Sequence, residues 1–193
     1  MKTRFKSSVL IALLVLAPSV ANAHPGHPAS GLAEGLAHPL TGLDHLLAMV
    51  AVGLWAAQIG GRARWIVPSA FVGTMVLGGA MGMSGVPVPW VEQGIVASVF
   101  VLGLLIALAT KPKLSVTVPV VAAFALFHGH AHGTEMVSAA TGLLYATGFA
   151  LATAMLHLTG VGLGQVLAHQ SRGDWLRLAG GGIALAGVVL AFN

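Results

Sequence analysis

The sequence contains no cysteine. Structural disulfides, thiolate metal sites and thiol catalysis are therefore excluded, although the redox compartment stays open. Charge is almost as scarce. Only 7% of the 193 residues are Asp, Glu, Lys or Arg, against roughly 25% in a soluble domain. Aromatic residues make up 6%, with a single tyrosine. No segment fits the phosphate-binding pattern G-x-x-x-x-G-K-[ST], so no ATP-driven machinery is encoded in this form. What is abundant is apolar: 56% of the chain is hydrophobic, and 26 residues are glycine. Small residues let helices in a bilayer approach closely, and glycine is commoner there than in soluble helices. The composition is that of an all-α integral membrane protein.

The N-terminus reads as a targeting segment. Lys2, Arg4 and Lys6 precede a short apolar core from Val9 to Ala17, broken by Pro18 and followed by Ala21-Asn22-Ala23. This is the pattern of a cleaved secretory signal. The apolar core is too short for a span, which needs about 20 residues. Residues 1–23 are thus assigned to a signal peptide and 24–193 to the mature domain, starting at His24; an uncleaved segment would instead make seven spans. The mature chain keeps six basic and five acidic residues. A pI near 10.2 therefore gives no reason to invoke nucleic acid as a partner.

Hydropathy predicts six spans, near 38–58, 65–84, 93–110, 115–136, 139–165 and 175–192. The connections alternate in charge. Arg62 and Arg64 follow the first span, Lys111 and Lys113 the third, and Arg172 and Arg177 flank the connection between the fifth and sixth. The connections after the second and fourth spans have neither Lys nor Arg. The positive-inside rule puts the basic side in the cytoplasm. Both mature termini are then periplasmic, as a cleaved signal independently requires, and the expected architecture is a six-helix transmembrane bundle in the bacterial inner membrane.

Two polar clusters interrupt this apolar background. One is His38-Pro-Leu-Thr-Gly-Leu-Asp44-His45, the other Phe127-His128-Gly-His130-Ala-His132-Gly-Thr-Glu135. A charged or strongly polar side chain at the centre of a bilayer costs about 2.5–3.5 kcal/mol on insertion scales, so such residues generally line a pathway or a site. Imidazoles and carboxylates together suit a borderline divalent transition metal. Read as continuous helices, His45 and His128 lie about 18–20 Å from the cytoplasmic side, and His38 and Glu135 about 30 Å from it. The clusters share a depth range, and packing of the first span on the fourth would bring them face to face. His38 and His45 are seven apart on one face; His128, His132 and Glu135 fall at i, i+4 and i+7 on another. His130 points nearly the opposite way. Asp44 either ligates directly or orients an imidazole. Ala125, Gly129 and Gly133 form a small-residue stripe suited to tight packing.

Each polar residue also has a plain structural reading as an interhelical hydrogen bond. For His130 and His157 that reading stands level with a functional one. For His38, Asp44, His45, His128, His132 and Glu135 together it does not, because such bonds average only about 0.6 kcal/mol in the membrane protein best studied. The methionines are read as packing, Glu34 and Glu92 as solvated, and Asp174 with Arg177 as a local helix pair.

At these residues the chain resembles the HupE/UreJ family of nickel and cobalt permeases. The first cluster looks like that family's His-x5-Asp-His signature and the second like its FHGxAHGxE signature. The likeness extends over the whole chain, including the leader and the six spans. It implies entry of nickel, or less often cobalt, across the inner membrane for hydrogenase or urease maturation. His38, Asp44, His45, His128, His132 and Glu135 carry over as pathway residues. His130 occupies a variable position of the second signature.

The expected mechanism is passive or weakly coupled permeation, with the metal ion as cargo, no prosthetic group and no catalysis. His24 and His27 are accessory candidates for periplasmic capture, His38 and Glu135 for the mouth, and His157 for a later station. The membrane potential alone supplies about 2.3 kcal/mol per charge per 100 mV, roughly twice that for a divalent ion. Two other classes remain open at this point: an intramembrane zinc hydrolase, with three histidines and an acid around Zn²⁺, and a haem protein with paired axial histidines. Ion identity, proton coupling, oligomeric state and client enzyme are not written in the sequence.

Overall fold

The computed structural model describes residues 31–136, 139–170 and 173–192. The signal-peptide assignment, His24 and His27 lie outside these residues. The described residues form seven helices: α1 (Leu32–Thr41), α2 (Leu43–Ile59), α3 (Ala63–Met83), α4 (Val91–Ala107), α5 (Leu114–Glu135), α6 (Ala139–Gln170) and α7 (Asp174–Leu190). No strand is found among them. Three helical segments are long and apolar enough to cross a membrane: Ala63–Met83, Leu114–Glu135 and Gly142–Ala168 within α6. The pair α1 and α2 qualifies only when taken together. Helices α4 and α7 have 17 residues each, about 26 Å at 1.5 Å per residue, at the short end of spanning lengths.

The expected first span is the one that differs most. It is not a continuous helix over 38–58: α1 and α2 meet at an angle of 86°. Pro39 lies within α1 and lacks the amide hydrogen that a helix interior needs. Gly42 then adopts an extended conformation, φ −90° and ψ 119°, and starts α2. The Thr41 hydroxyl donates to the His38 carbonyl at 2.8 Å, satisfying one of the acceptors left open at the helix end.

The interior is mostly apolar but holds an unusual set of polar side chains. His45, Ser98, Thr117, His128, His130, His132, Thr153 and His157 are all buried, whereas Trp65, Leu77, Leu143, Leu151, Met155, Leu163 and Leu185 face outward. Polar side chains turned inward and large apolar ones turned outward suit a chain whose surroundings are hydrocarbon. Helix α2 is the centre of the bundle. Ten of its residues are buried, and it packs on α3, α4, α6 and α7.

Helices α3 and α5 make the most extensive contact, through two facing small-residue motifs, Gly78-x3-Gly82 and Gly129-x3-Gly133. A methyl group on Gly129 would land on the Met75 carbonyl oxygen, and one on Gly133 on that of Gly79. Methyl groups on Gly78 and Gly82 would meet the carbonyls of Leu126 and His130 in return. The stripe read from the sequence therefore serves helix packing, with α3 as the partner. Three hydrogen bonds tie the opposite end of the bundle. Trp55 Nε1 donates to the Thr110 carbonyl, Gln58 Nε2 to that of Ile106, and Arg177 Nε to that of Ala107. They gather the end of α2, the α4–α5 connection and the start of α7, so Arg62, Arg64, Lys111, Lys113 and Arg177 belong to one end.

Backbone against backbone leaves no room to yield. Gly129→Ala is expected to cost about 1–3 kcal/mol, as overpacked cores do, read as a lowered melting temperature of the detergent-purified protein. Gly181→Ala, where nothing lies within 4 Å of the added carbon, is the control and should leave the melting temperature unchanged.

Candidate metal centre

The two clusters meet, but not by the packing expected. Helix α5 lies on α3 and α4, and α2 lies mainly on α6; α2 and α5 do not pack along their lengths. Their side chains bridge the interval. His45 Nε2 and His132 Nε2 are 2.7 Å apart. The rings of His45 and His128 lie 4.8 Å apart, centroid to centroid, and those of His38 and His132 4.6 Å. His38 and His45 are 6.3 Å apart. Their proximity comes from the bend at Gly42, which folds α1 back, and not from a shared helical face.

Hydrogen-bond bookkeeping sets the tautomers. Asp44 Oδ1 accepts both the backbone N–H of His45 at 2.8 Å and its ring Nδ1–H at 2.9 Å. A carboxylate only accepts, so His45 Nε2 carries a lone pair. His132 Nε2–H must then be the donor in the contact between the two imidazoles. A neutral His132 consequently turns the lone pair of Nδ1 towards Glu135 Oε2, 3.4 Å away. Two electron-rich atoms at that separation need a cation between or beside them, a proton or a metal ion. Nitrogen or oxygen atoms of His38, His132 and Glu135 all lie within 4.8 Å of one another. Two imidazoles and a carboxylate form a set of donors for zinc, nickel or cobalt.

Exposure gives the cluster a direction. The Glu135 side chain is 52% exposed and that of His132 4%, while His128 is 0% exposed. His38 is half-buried. Asp44 acts on His45 as an orienting acceptor, one of the two roles left open by the sequence. His132 reaches both levels: one nitrogen faces Glu135 and the other faces His45. His130 is turned away from the cluster, as its spacing predicts. Its Nε2 donates to the Val86 carbonyl at 2.7 Å and so ties α5 to the α3–α4 connection. His157 is fully buried in the middle of α6.

Sequence reasoning missed three residues. The Ser98 hydroxyl, on α4, lies 3.0 Å from His128 Nε2 and donates to the Ile95 carbonyl at 2.6 Å. Phe149 places its ring 4.2 Å from that of His132, and Tyr145 sits 5.8 Å from His38. The only signals were a lone serine in an apolar helix and the single tyrosine of the chain.

Removing the Asp44 carboxylate tests the tautomer argument. An amide at this position can donate to His45 Nδ1, which would turn an Nε2–H of His45 towards His132, reverse the 2.7 Å contact and leave His132 facing Glu135 with an Nδ1–H in place of a lone pair. Asp44→Asn is expected to weaken nickel binding about 10–100-fold, the usual loss when an orienting partner of a metal-ligating histidine is removed. Calorimetric titration of the purified protein measures it, with an unaltered elution profile as the control for folding.

Comparison with known proteins places the sequence. The family model described as HupE / UreJ protein matches residues 11–190. The chain is 47% identical over 185 residues to Protein HupE of Rhizobium leguminosarum bv. viciae, an alignment covering 96% of each chain. No solved structure matches. With the two signature segments brought together in one buried cluster and a family match over nearly its whole length, the chain belongs to the HupE/UreJ family.

Proposed function

We propose that this protein is a permease of the bacterial inner membrane that admits Ni²⁺, or Co²⁺, from periplasm to cytoplasm for hydrogenase or urease maturation. The ion is cargo, and neither a prosthetic group nor a catalytic step is involved. The partners are the metal ion, the lipid bilayer and a nickel-enzyme maturation system; nucleic acid plays no part. In this reading a cleaved signal precedes six spans. The broken pair α1–α2 counts as the first, the basic end of the bundle faces the cytoplasm and both mature termini face the periplasm.

One observation carries the reading. A run of imidazoles and carboxylates leads from the half-exposed Glu135, through His38, His132 and His45 with its Asp44, to the fully buried His128. It lies in a chain whose family is associated with nickel and cobalt transport for hydrogenase or urease. An ion sheds water at His38 and Glu135 and moves inward over His132, His45 and His128. His24 and His27 serve periplasmic capture, His130 fixes the outer connection, and His157 follows the cluster. Permeation sites bind well enough to replace water yet loosely enough to release, and an inside-negative potential drives a divalent ion inward.

The family association weighs against the zinc-hydrolase and haem readings. The former expects lipid turnover by the zinc-loaded protein, the latter visible absorption by the purified one. The decisive experiment is uptake of labelled nickel and cobalt by cells producing the protein. His45→Ala and His128→Ala are expected to reduce uptake to the level of cells lacking it. Uptake undiminished in both variants at equal expression would falsify the proposed path.

A further inference from the structure

Five histidines among the described residues are buried: His45, His128, His130, His132 and His157. Four of them have a hydrogen-bond partner on at least one ring nitrogen. His157 has none on either, although it is 0% exposed. A buried imidazole without partners destabilises a fold, and such a group in a native structure calls for an explanation such as an ion not yet in place. A second unpartnered nitrogen lies near it. The Ser98 hydroxyl gives its only hydrogen to the Ile95 carbonyl, so its oxygen must accept from His128 Nε2–H. The tautomer of His128 is thereby fixed, and its Nδ1 presents a bare lone pair. That nitrogen is buried and unpartnered as well.

The same neighbours hold both rings. Phe71 on α3 packs edge-on against His157 at 5.0 Å and tilted against His128 at 5.7 Å, centroid to centroid. The two imidazoles thus share one side-chain neighbour. Thr153, one turn before His157 on α6, is also fully buried, and its hydroxyl donates to Met75 Sδ at 3.7 Å, leaving the oxygen lone pairs free. Met75 in turn lies one turn after Phe71 on the same face of α3.

We propose that His157 and the Nδ1 of His128 form an inner binding station for a divalent transition-metal cation, separate from the His38–His132–Glu135 cluster, with Thr153 and Met75 as the remaining donors at hand. Two imidazoles with a hydroxyl and a thioether select a borderline cation such as Ni²⁺ or Co²⁺ over the oxygen-seeking Mg²⁺ or Ca²⁺. The station deepens the transport reading and rests on it only for the direction in which an ion would arrive. It divides the path into two stops, with His128 in ring contact with His45 on one side and sharing Phe71 with His157 on the other.

Cobalt is the probe, because its visible bands report nitrogen ligation. The full-length protein is reconstituted in nanodiscs and titrated with Co²⁺. Wild type is expected to bind two equivalents, His157→Leu one, and His132→Ala one with the spectrum of the inner station. His157→Gln keeps a polar side chain without the imidazole and should also bind one. Free of metal, His157→Leu is expected to melt no lower than wild type, because it removes an unpaired polar group. With metal it should gain less thermal stabilisation, because one binding site is gone. A single equivalent in wild type, or two in both His157 variants, overturns the inner station and leaves the outer cluster and the transport reading standing. No binding by any form defeats both. Loss of all binding in His132→Ala, with two equivalents in wild type, overturns an inner station that binds separately from the outer cluster.

Discussion

A contact between two imidazole nitrogens, His45 Nε2 and His132 Nε2 at 2.7 Å, is the hydrogen bond that joins the two polar segments among the described residues, beside the ring contacts of His38 with His132 and of His45 with His128. The helices that carry the two rings do not pack on each other along their lengths; both pack instead on α3 and α4, which set the interval that the rings span. The contact exists only with one nitrogen as donor and the other as acceptor. Asp44 makes that choice by taking the Nδ1–H of His45. Everything outward follows from it: the Nδ1 of His132 is left facing Glu135, and the resulting pair of electron-rich atoms is what a cation can relieve. In hydrocarbon, where water is not available to mend a broken chain, such an arrangement is either complete or costly.

The scaffold around this contact is built from places where side chains are missing. Gly129 and Gly133 let α5 lie directly on α3, which sets the position of His128 and His132 one residue before each glycine. Gly42 works in the other direction. A methyl group there would come within 2.9 Å of Asp44 Oδ1 and 3.2 Å of His45 Nδ1, so the residue that breaks the first span also makes room for the pair that starts α2. The bend and the orienting hydrogen bond are one local solution. A straight helix through residues 38–58 would carry His38 away from His132 and give up the outer trio.

Much of this was legible beforehand, for physical reasons. Insertion cost marks polar residues in apolar segments, and so picks out both clusters. The helical period separates His130 from His128, His132 and Glu135, and small residues four apart announce a close contact. The bend was not legible. Proline and glycine are common within spanning helices, where neighbours satisfy the freed backbone groups, so Pro39 and Gly42 did not announce a break. His38 and His45 were correctly paired, but from a seven-residue spacing that the structure does not use. Ser98 was invisible because a serine in an apolar helix usually bonds its own backbone. Ser98 does so at Ile95, and serves His128 with the other side of the same oxygen.

The arrangement also bears on why a path of this kind would not trap its cargo. A closed metal cage keeps each ligand atom for the metal alone. Here His132 has a nitrogen on each side, one towards the outer trio and one already engaged with His45. For His45 Nε2 to bind an ion, its bond from His132 must open, and that leaves the His132 Nε2–H without an acceptor. Occupation further in therefore loosens the geometry that made the outer trio a site, and return of the ion outward restores it. In the proposed path each stop is weakened by occupation of the next, which works against a single deep trap. Without a deep trap, a modest electrical driving force, about 2.3 kcal/mol per charge per 100 mV, would suffice to move a doubly charged ion along the proposed path.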